Sequence, residues 1–407
     1  MVKVHNKPVN NANDWKSFLI YLTFLQLQDS SKMFGAIRDF FRRHRRKFIV
    51  AGVVTGGAVL LWKYAEWKLD EWREKEAAEC LAMARRQHHF DSNQRTCNLT
   101  VLSMLPKLKE TLLELLDSEK LIAELKSRPE NKVAIWNELK ITCFCRTVTC
   151  VYSTVLLVVF LRVQLNIIGG YMYLDSLSGK NGFTNGRIHA TPDVQKRYLA
   201  TVQNLLSDGL SDLISTVHQA VRNVMQGMPL QKLLSLQDIE RLFGSIRCQV
   251  ETTKVGEGIT DNIHPLSRYL LASEVGEGES SACQLSQDDL MFNKLMAETR
   301  DMIESSDFQT VLNTCLDIGF SRVLDNMAEF FRPSLAAGGD SQDFGPTCIH
   351  LALAKVIPVV NGQINVICGE APNHFIQEML LMQCVKDFAA NVYEAFSQPI
   401  MDPAHGP

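Results

Sequence analysis

Most of the short motifs that announce an enzyme are missing from this 407-residue chain. It has no P-loop, no GxGxxG, no HExxH and no GxSxG, so no familiar phosphate cradle, zinc-peptidase helix or nucleophile elbow is written locally. Glycine (23) and proline (13) fall below their usual share, which argues against collagen-like or linker-rich architecture and for helices. An excess of charge of one sign is also lacking. The net charge is −3, so global electrostatics give no case for nucleic-acid binding. The 11 cysteines are odd in number and irregularly spaced, unlike a secreted disulfide framework. Reduced, mostly buried thiols in a cytosol-facing domain are the better reading. What the chain does have is apolar residues, 46% against 21% charged, enough for a sizeable core and unlike a disordered composition.

The most informative stretch is FFRRHRRKFIVAGVVTGGAVLLWKYAEW, residues 40–67. No charge interrupts Phe48 to Trp62, and extending to Tyr64 gives roughly 25 Å of helix, near the short limit for a membrane span. Lys47 and Lys63 flank it and can snorkel outward, while Trp62, Tyr64 and Trp67 read as an aromatic interface belt. Gly52 and Gly56 form a small-xxx-small pair that permits close helix packing. Upstream, Phe34, Ile37, Phe40 and Phe41 fall at helical spacing among Arg38, Arg42, Arg43, Arg45, Arg46 and Lys47. This reads either as an amphipathic, basic targeting segment or as a plain orientation signal. Orientation is in conflict. Six basic residues precede the span and four follow it closely, so the positive-inside rule places the N-terminus in the cytosol; the cysteines place the large domain there. Residues 1–32 read as an extension of uncertain status.

From residue 65 onward the apolar spacing is mostly three and four, which predicts helices. Leu105, Leu108, Leu112 and Leu116 form one stripe, and Leu121, Ile122 and Leu125 continue after a break where Ser118 reads as an N-cap. Another helix begins around Val133, Trp136 and Leu139. The one candidate strand is VIPVVNGQINVI, residues 356–367, weakened by Pro358 and Gly362. Stretches 175–192, 251–286 and 333–347 read as loops inserted into one helical domain. The second apolar run, 151–168, carries Arg162, Gln164 and Asn166 in its distal half and is assigned to a soluble core, not to a second span. The expected fold is therefore all-α: one large helical bundle (65–400, then a tail 401–407) behind a single transmembrane helix (48–64) and a basic segment (33–47).

Cys143 and Cys145 make a poor chelate on a helix, because i and i+2 point to opposite sides, and His88 and His89 fit no standard zinc spacing. Neither a metal nor a cofactor is expected. Two classes remain open on the residues alone: an interaction protein such as a docking receptor, and a membrane-tethered helical enzyme or scaffold with a dispersed site.

The runs ARRQHHFDSNQRTCNLTVLSMLP, FLRVQLNIIGGYMYLD, RDMIESSDFQTVLNTCLDIGFSRVLDNMAEFFRP and VKDFAANVYEAFS resemble the peroxisomal biogenesis factor 3 (peroxin-3) family, from Met33 to about Ser397. The resemblance implies a protein of the peroxisomal membrane with its helical domain in the cytosol, which sets the positive-inside count aside. It implies a docking factor and not an enzyme. Its partner is the soluble receptor peroxisomal biogenesis factor 19, whose amphipathic N-terminal helix enters a hydrophobic groove; family members also meet peroxisomal biogenesis factor 16. The family's docking motif matches RPENKVAIWNELK, residues 128–140. Carried over, Trp136 is the central anchor, Lys132 and Leu139 share its face, and Leu125 lines the groove. Arg42, Arg43, Arg45, Arg46, Lys47, Gly52 and Gly56 fall in the family's targeting and anchoring segment. Gly169 and Gly170 read as a C-cap or a tight backbone approach at the end of the long apolar helix.

Overall fold

Helices form where apolar residues recur every three or four positions, which is nearly everywhere. The computed structural model describes residues 33–181, 190–252, 264–271, 286–332, 349–370 and 372–398. The extension 1–32, the tail 401–407 and most of the three loop stretches lie outside the described residues. In chain order the helices are α1 (Met33–Leu115), α2 (Ser118–Lys126), α3 (Lys132–Asn181), α4 (Pro192–Ala200), α5 (Val202–Leu206) and α6 (Asp208–Met225). They continue with α7 (Leu236–Glu251), α8 (Gln287–Glu304), α9 (Ser306–Ala328), α10 (Leu353–Ile367), α11 (His374–Leu381) and α12 (Gln383–Ser397). Two dipeptide strands, β1 (Leu233–Leu234) and β2 (Leu351–Ala352), pair antiparallel. The chain has two compact units, divided between Met83 and Ala84.

In the first unit the basic segment and the apolar run are both helical. The side chains of Arg42, Arg43 and Arg45 lie outside the described set; Arg46 and Lys47 are exposed. Each large described apolar side chain from Ile49 to Trp62 is more than half exposed, up to 74% at Trp62. Among the described residues of this unit, none comes within 4 Å of a Cβ built on Gly52 or Gly56. Bare apolar surface of this extent is unfavourable in water, and the run is compatible with a single membrane span. Beyond Tyr64 the helix becomes charged. Lys68 and Lys75 both pair with Glu71, at 2.9 and 2.8 Å, and draw its carboxyl down to about 2.

In the second unit α3 is the axis around which the other helices pack. It is long and apolar enough to cross a membrane, yet its most apolar stretch is wholly buried in protein. The run 151–168 is thus a core helix. Arg162 is the costly residue there, 2% exposed. Its guanidinium donates to Asn98 Oδ1 (2.6 Å) and to Gln94 Oε1 on α1. Gln94 and Asn93 in turn donate to Asn166 Oδ1 (2.7 and 3.0 Å), and Asn166 donates to the Arg162 carbonyl. The charge is solvated by amides. Arg162→Ala is expected to destabilise the fold, because two part-buried amide acceptors lose their donor at about 1–3 kcal/mol each. Urea unfolding of wild type and variant measures it, and an unchanged midpoint would show the network to be dispensable.

Several local expectations are corrected. The candidate strand 356–367 lies inside α10. Its buried residues, Leu353, Val356, Ile357, Val360, Gln363, Ile364 and Ile367, keep helical spacing, and Pro358 sits near enough to the start to forfeit only one early bond. The N-cap of α2 is Asp117, whose carboxylate accepts from the Lys120 amide at 2.9 Å; Ser118 is its buried first residue. Residues 175–181, read as loop, extend α3. Gly169 and Gly170 therefore lie inside a helix and cap nothing. They permit close approach: a Cβ on Gly170 would stand 2.7 Å from the backbone of Phe396 on α12, and one on Gly169 2.7 Å from the Asn93 amide.

Candidate docking groove

The motif residues 132–140 form the first turns of α3, which opens immediately after Asn131. A 3.6-residue repeat turns Ile135 and Leu139 inward, 5% and 3% exposed, and leaves Lys132 and Val133 in water. Trp136 falls between these faces. It is partly buried and packs against the core. Lys140, 2% exposed, reaches across to α6 and donates to the carbonyls of Met225 (3.2 Å) and Met228 (3.0 Å), satisfying the end of that helix.

Trp136 and Leu139 line one wall of a mainly apolar groove of about 660 Å³. Leu113 of α1 and Ile122 of α2 add to the lining, and α10 supplies the facing wall through Ile357 and Pro358. Val133 stands outside with 71% exposure. Leu125 packs partly buried against the core without joining the groove's lining, and Lys132 is exposed nearby in sequence but is not a lining residue either. The structure thus brings Trp136 and Leu139 to one cavity and leaves Leu125 and Lys132 outside it.

One end of the groove is polar. Arg146, 1% exposed, donates to Glu119 at 2.7 and 3.0 Å, through Nε to the Leu116 carbonyl at 2.9 Å, and to Asn361 Oδ1 at 3.2 Å. A single guanidinium thereby joins the end of α1, the first turn of α2 and the facing α10. Its bond holds the Glu119 carboxyl below the usual carboxylate range, against the opposing effect of burial. Cys143 lies in the lining, and burial pushes its thiol up to about 12, so it is a small apolar side chain here and not a nucleophile. Sequence reading found the α3 wall and missed the α10 wall, because 356–367 was assigned to a strand; the 353/356/360/364/367 repeat was the available signal.

Comparison with known proteins now bears on the groove. The peroxin-3 family model matches residues 39–134 and 127–395, nearly the whole described chain. The chain belongs to the peroxin-3 family. Peroxisomal biogenesis factor 3 of Homo sapiens is 53% identical over 373 residues, covering 90% of this chain and 99% of that protein. That of Mus musculus is 51% identical over 372 residues with the same coverage. Peroxisome biogenesis protein 3-1 of Arabidopsis thaliana is 25% identical over 384 residues, 89% of this chain and 99% of that one. Both the apolar run of α1 and the groove-forming helices fall inside the peroxin-3 match, and the protein is a peroxisome biogenesis factor.

Proposed function

We propose that the chain is a docking factor of the peroxisomal membrane, without catalytic chemistry, that receives the amphipathic N-terminal helix of peroxisomal biogenesis factor 19 and so admits newly made membrane proteins. The observation that carries the reading is the open groove at Trp136: mainly apolar, walled by helices, with one large aromatic only partly buried. Such a groove suits the apolar face of an amphipathic helix. Family membership supports the same reading. The direct test is calorimetry of the receptor's N-terminal peptide with the full-length chain in detergent micelles. Saturable binding is expected, and it should vanish when the peptide's apolar face is made polar. Heat that is the same for both peptides would sink the docking reading.

Residues 48–64 are the anchor and Arg42, Arg43, Arg45, Arg46 and Lys47 the targeting charges, with the helical domain in the cytosol. Full-length protein is expected to resist alkaline carbonate extraction, and residues 33–64 fused to a reporter should carry it to peroxisomes. Neutralising the basic residues should disturb delivery more than insertion, since the apolar run is untouched. The domain should be digested by protease added to intact organelles, and Asn98 should carry no glycan; protection of the domain would reverse the orientation.

A further inference from the structure

Two thiols meet in the core. Cys150, on α3, and Cys368, the residue that ends α10, have their sulfurs 3.3 Å apart although 218 positions separate them in sequence. Both are almost wholly buried, at 0% and 3% exposure. The pair is nonetheless not sealed. Cys368, Gly369 and Glu370 line a second surface groove, of about 510 Å³, whose other wall is the last turns of α1 with Pro106, Lys109 and Leu113. Cys368 is thus the floor of an opening wide enough for a small polar molecule, and Cys150 stands directly behind it.

We propose that Cys150 and Cys368 are a site of dithiol oxidation, closing to a disulfide when a hydroperoxide enters the groove between α1 and the α10–α11 turn.

The chemistry divides between the two sulfurs. Cys368 is the one that reaches the groove, so it attacks. The Cys150 S–H and the Thr154 hydroxyl (3.5 Å) can donate to its sulfur, and the Lys109 ammonium on the groove wall favours a negative charge there; together these oppose the effect of burial. Its thiolate takes the terminal oxygen of the hydroperoxide, the O–O bond breaks, and water or an alcohol leaves after protonation, giving a sulfenic acid. The Cys150 sulfur then displaces that hydroxyl as water and the S–S bond forms. Two thiols are oxidised by two electrons and one peroxide bond is reduced. The sulfurs need to approach by about 1.2 Å to reach bonding distance. Rotation of the Cys368 side chain about its Cα–Cβ bond, at the C-terminal end of α10, supplies that movement. The bond ties α3 to α10, the two helices that face each other across the docking groove, so oxidation pins one groove wall to the other.

The test uses the full-length protein in detergent micelles, treated with hydrogen peroxide, blocked with an alkylating reagent and digested without reductant. A peptide pair linked through Cys150 and Cys368 is expected, lost on adding reductant, with a raised unfolding temperature in the oxidised form. Cys150→Ser should leave Cys368 as a sulfenic acid that a cyclic 1,3-diketone captures; Cys368→Ser should leave Cys150 unmodified. Lys109→Gln should slow the linkage several-fold. Oxidation confined to Cys80, Cys248 or Cys384, with Cys150 and Cys368 both alkylated, would overturn the proposal. A linked pair that forms at an unchanged rate in Lys109→Gln would overturn the assigned route through the groove.

Discussion

Trp136→Ala is expected to weaken binding of the receptor peptide about thirtyfold to a thousandfold, which corresponds to about 2–4 kcal/mol. The ring is the largest apolar group on the α3 wall, and its partly exposed surface lines the groove. An aromatic ring removes a large area from water with few rotatable bonds to freeze, which is why such residues dominate interfaces. Because the ring also packs against the core, some stability will be lost as well. That loss should stay well below the about 3–5 kcal/mol of a fully buried tryptophan. Paired measurements on one variant separate the two effects, calorimetry reporting affinity and thermal scans reporting the fold. Lys132→Ala, at an exposed position outside the lining, should cost far less affinity and mainly at low salt. Full affinity in Trp136→Ala, or a collapse of the fold that accounts for the lost binding, would remove Trp136 as the anchor.

Arg146→Met is expected to be the most damaging single change to the groove's frame. The substitution keeps the aliphatic stem and removes every donor. The Leu116 carbonyl and Asn361 Oδ1 each lose a charged partner. Breaking a buried ion pair costs about 3–5 kcal/mol, but the Glu119 side chain is 62% exposed and returns readily to water, which places the expected loss near the lower end. Part of it depends on pH. The folded-state pKa of Glu119 is depressed, so its contribution is complete above the ordinary carboxylate value and fades as pH falls through the folded value. Urea midpoints of wild type and Arg146→Met should therefore lie further apart at neutral pH than in acid, and Arg146→Lys should recover only part of the difference. A gap that is flat with pH would mean that the carboxylate contributes nothing and the Leu116 carbonyl and Asn361 contribute everything.

The two long apolar runs show what pattern can and cannot decide. Residues 48–64 and 151–168 are both long enough to invite a membrane assignment. Arg162, Gln164 and Asn166 marked the second as a core helix, and the structure supplies polar partners, side-chain amides for Arg162 and Asn166 and the Thr201 hydroxyl for Gln164. The helical stripes Leu105, Leu108, Leu112 and Leu116 are buried as their spacing implies. Errors fell where two local signals compete. A period-two reading of 356–367 suggested a strand, weakened by Pro358 and Gly362, whereas the burial repeat of the same residues is helical. Adjacent Asp117 and Ser118 could each cap α2, and only the backbone geometry chose Asp117.

Periodicity and composition by themselves determined that the chain is all-α and which residues form the first turns of α3. These are properties of a residue and its near neighbours, and helix formation is governed largely at that range. Only the tertiary structure decided that α10 faces α3 across a groove, that Leu125 and Lys132 lie outside its lining while Trp136 lies within it, and that Cys150 meets Cys368. Each of these joins segments far apart in the chain. Packing of whole helix faces brings them together, and no local spacing encodes which face meets which.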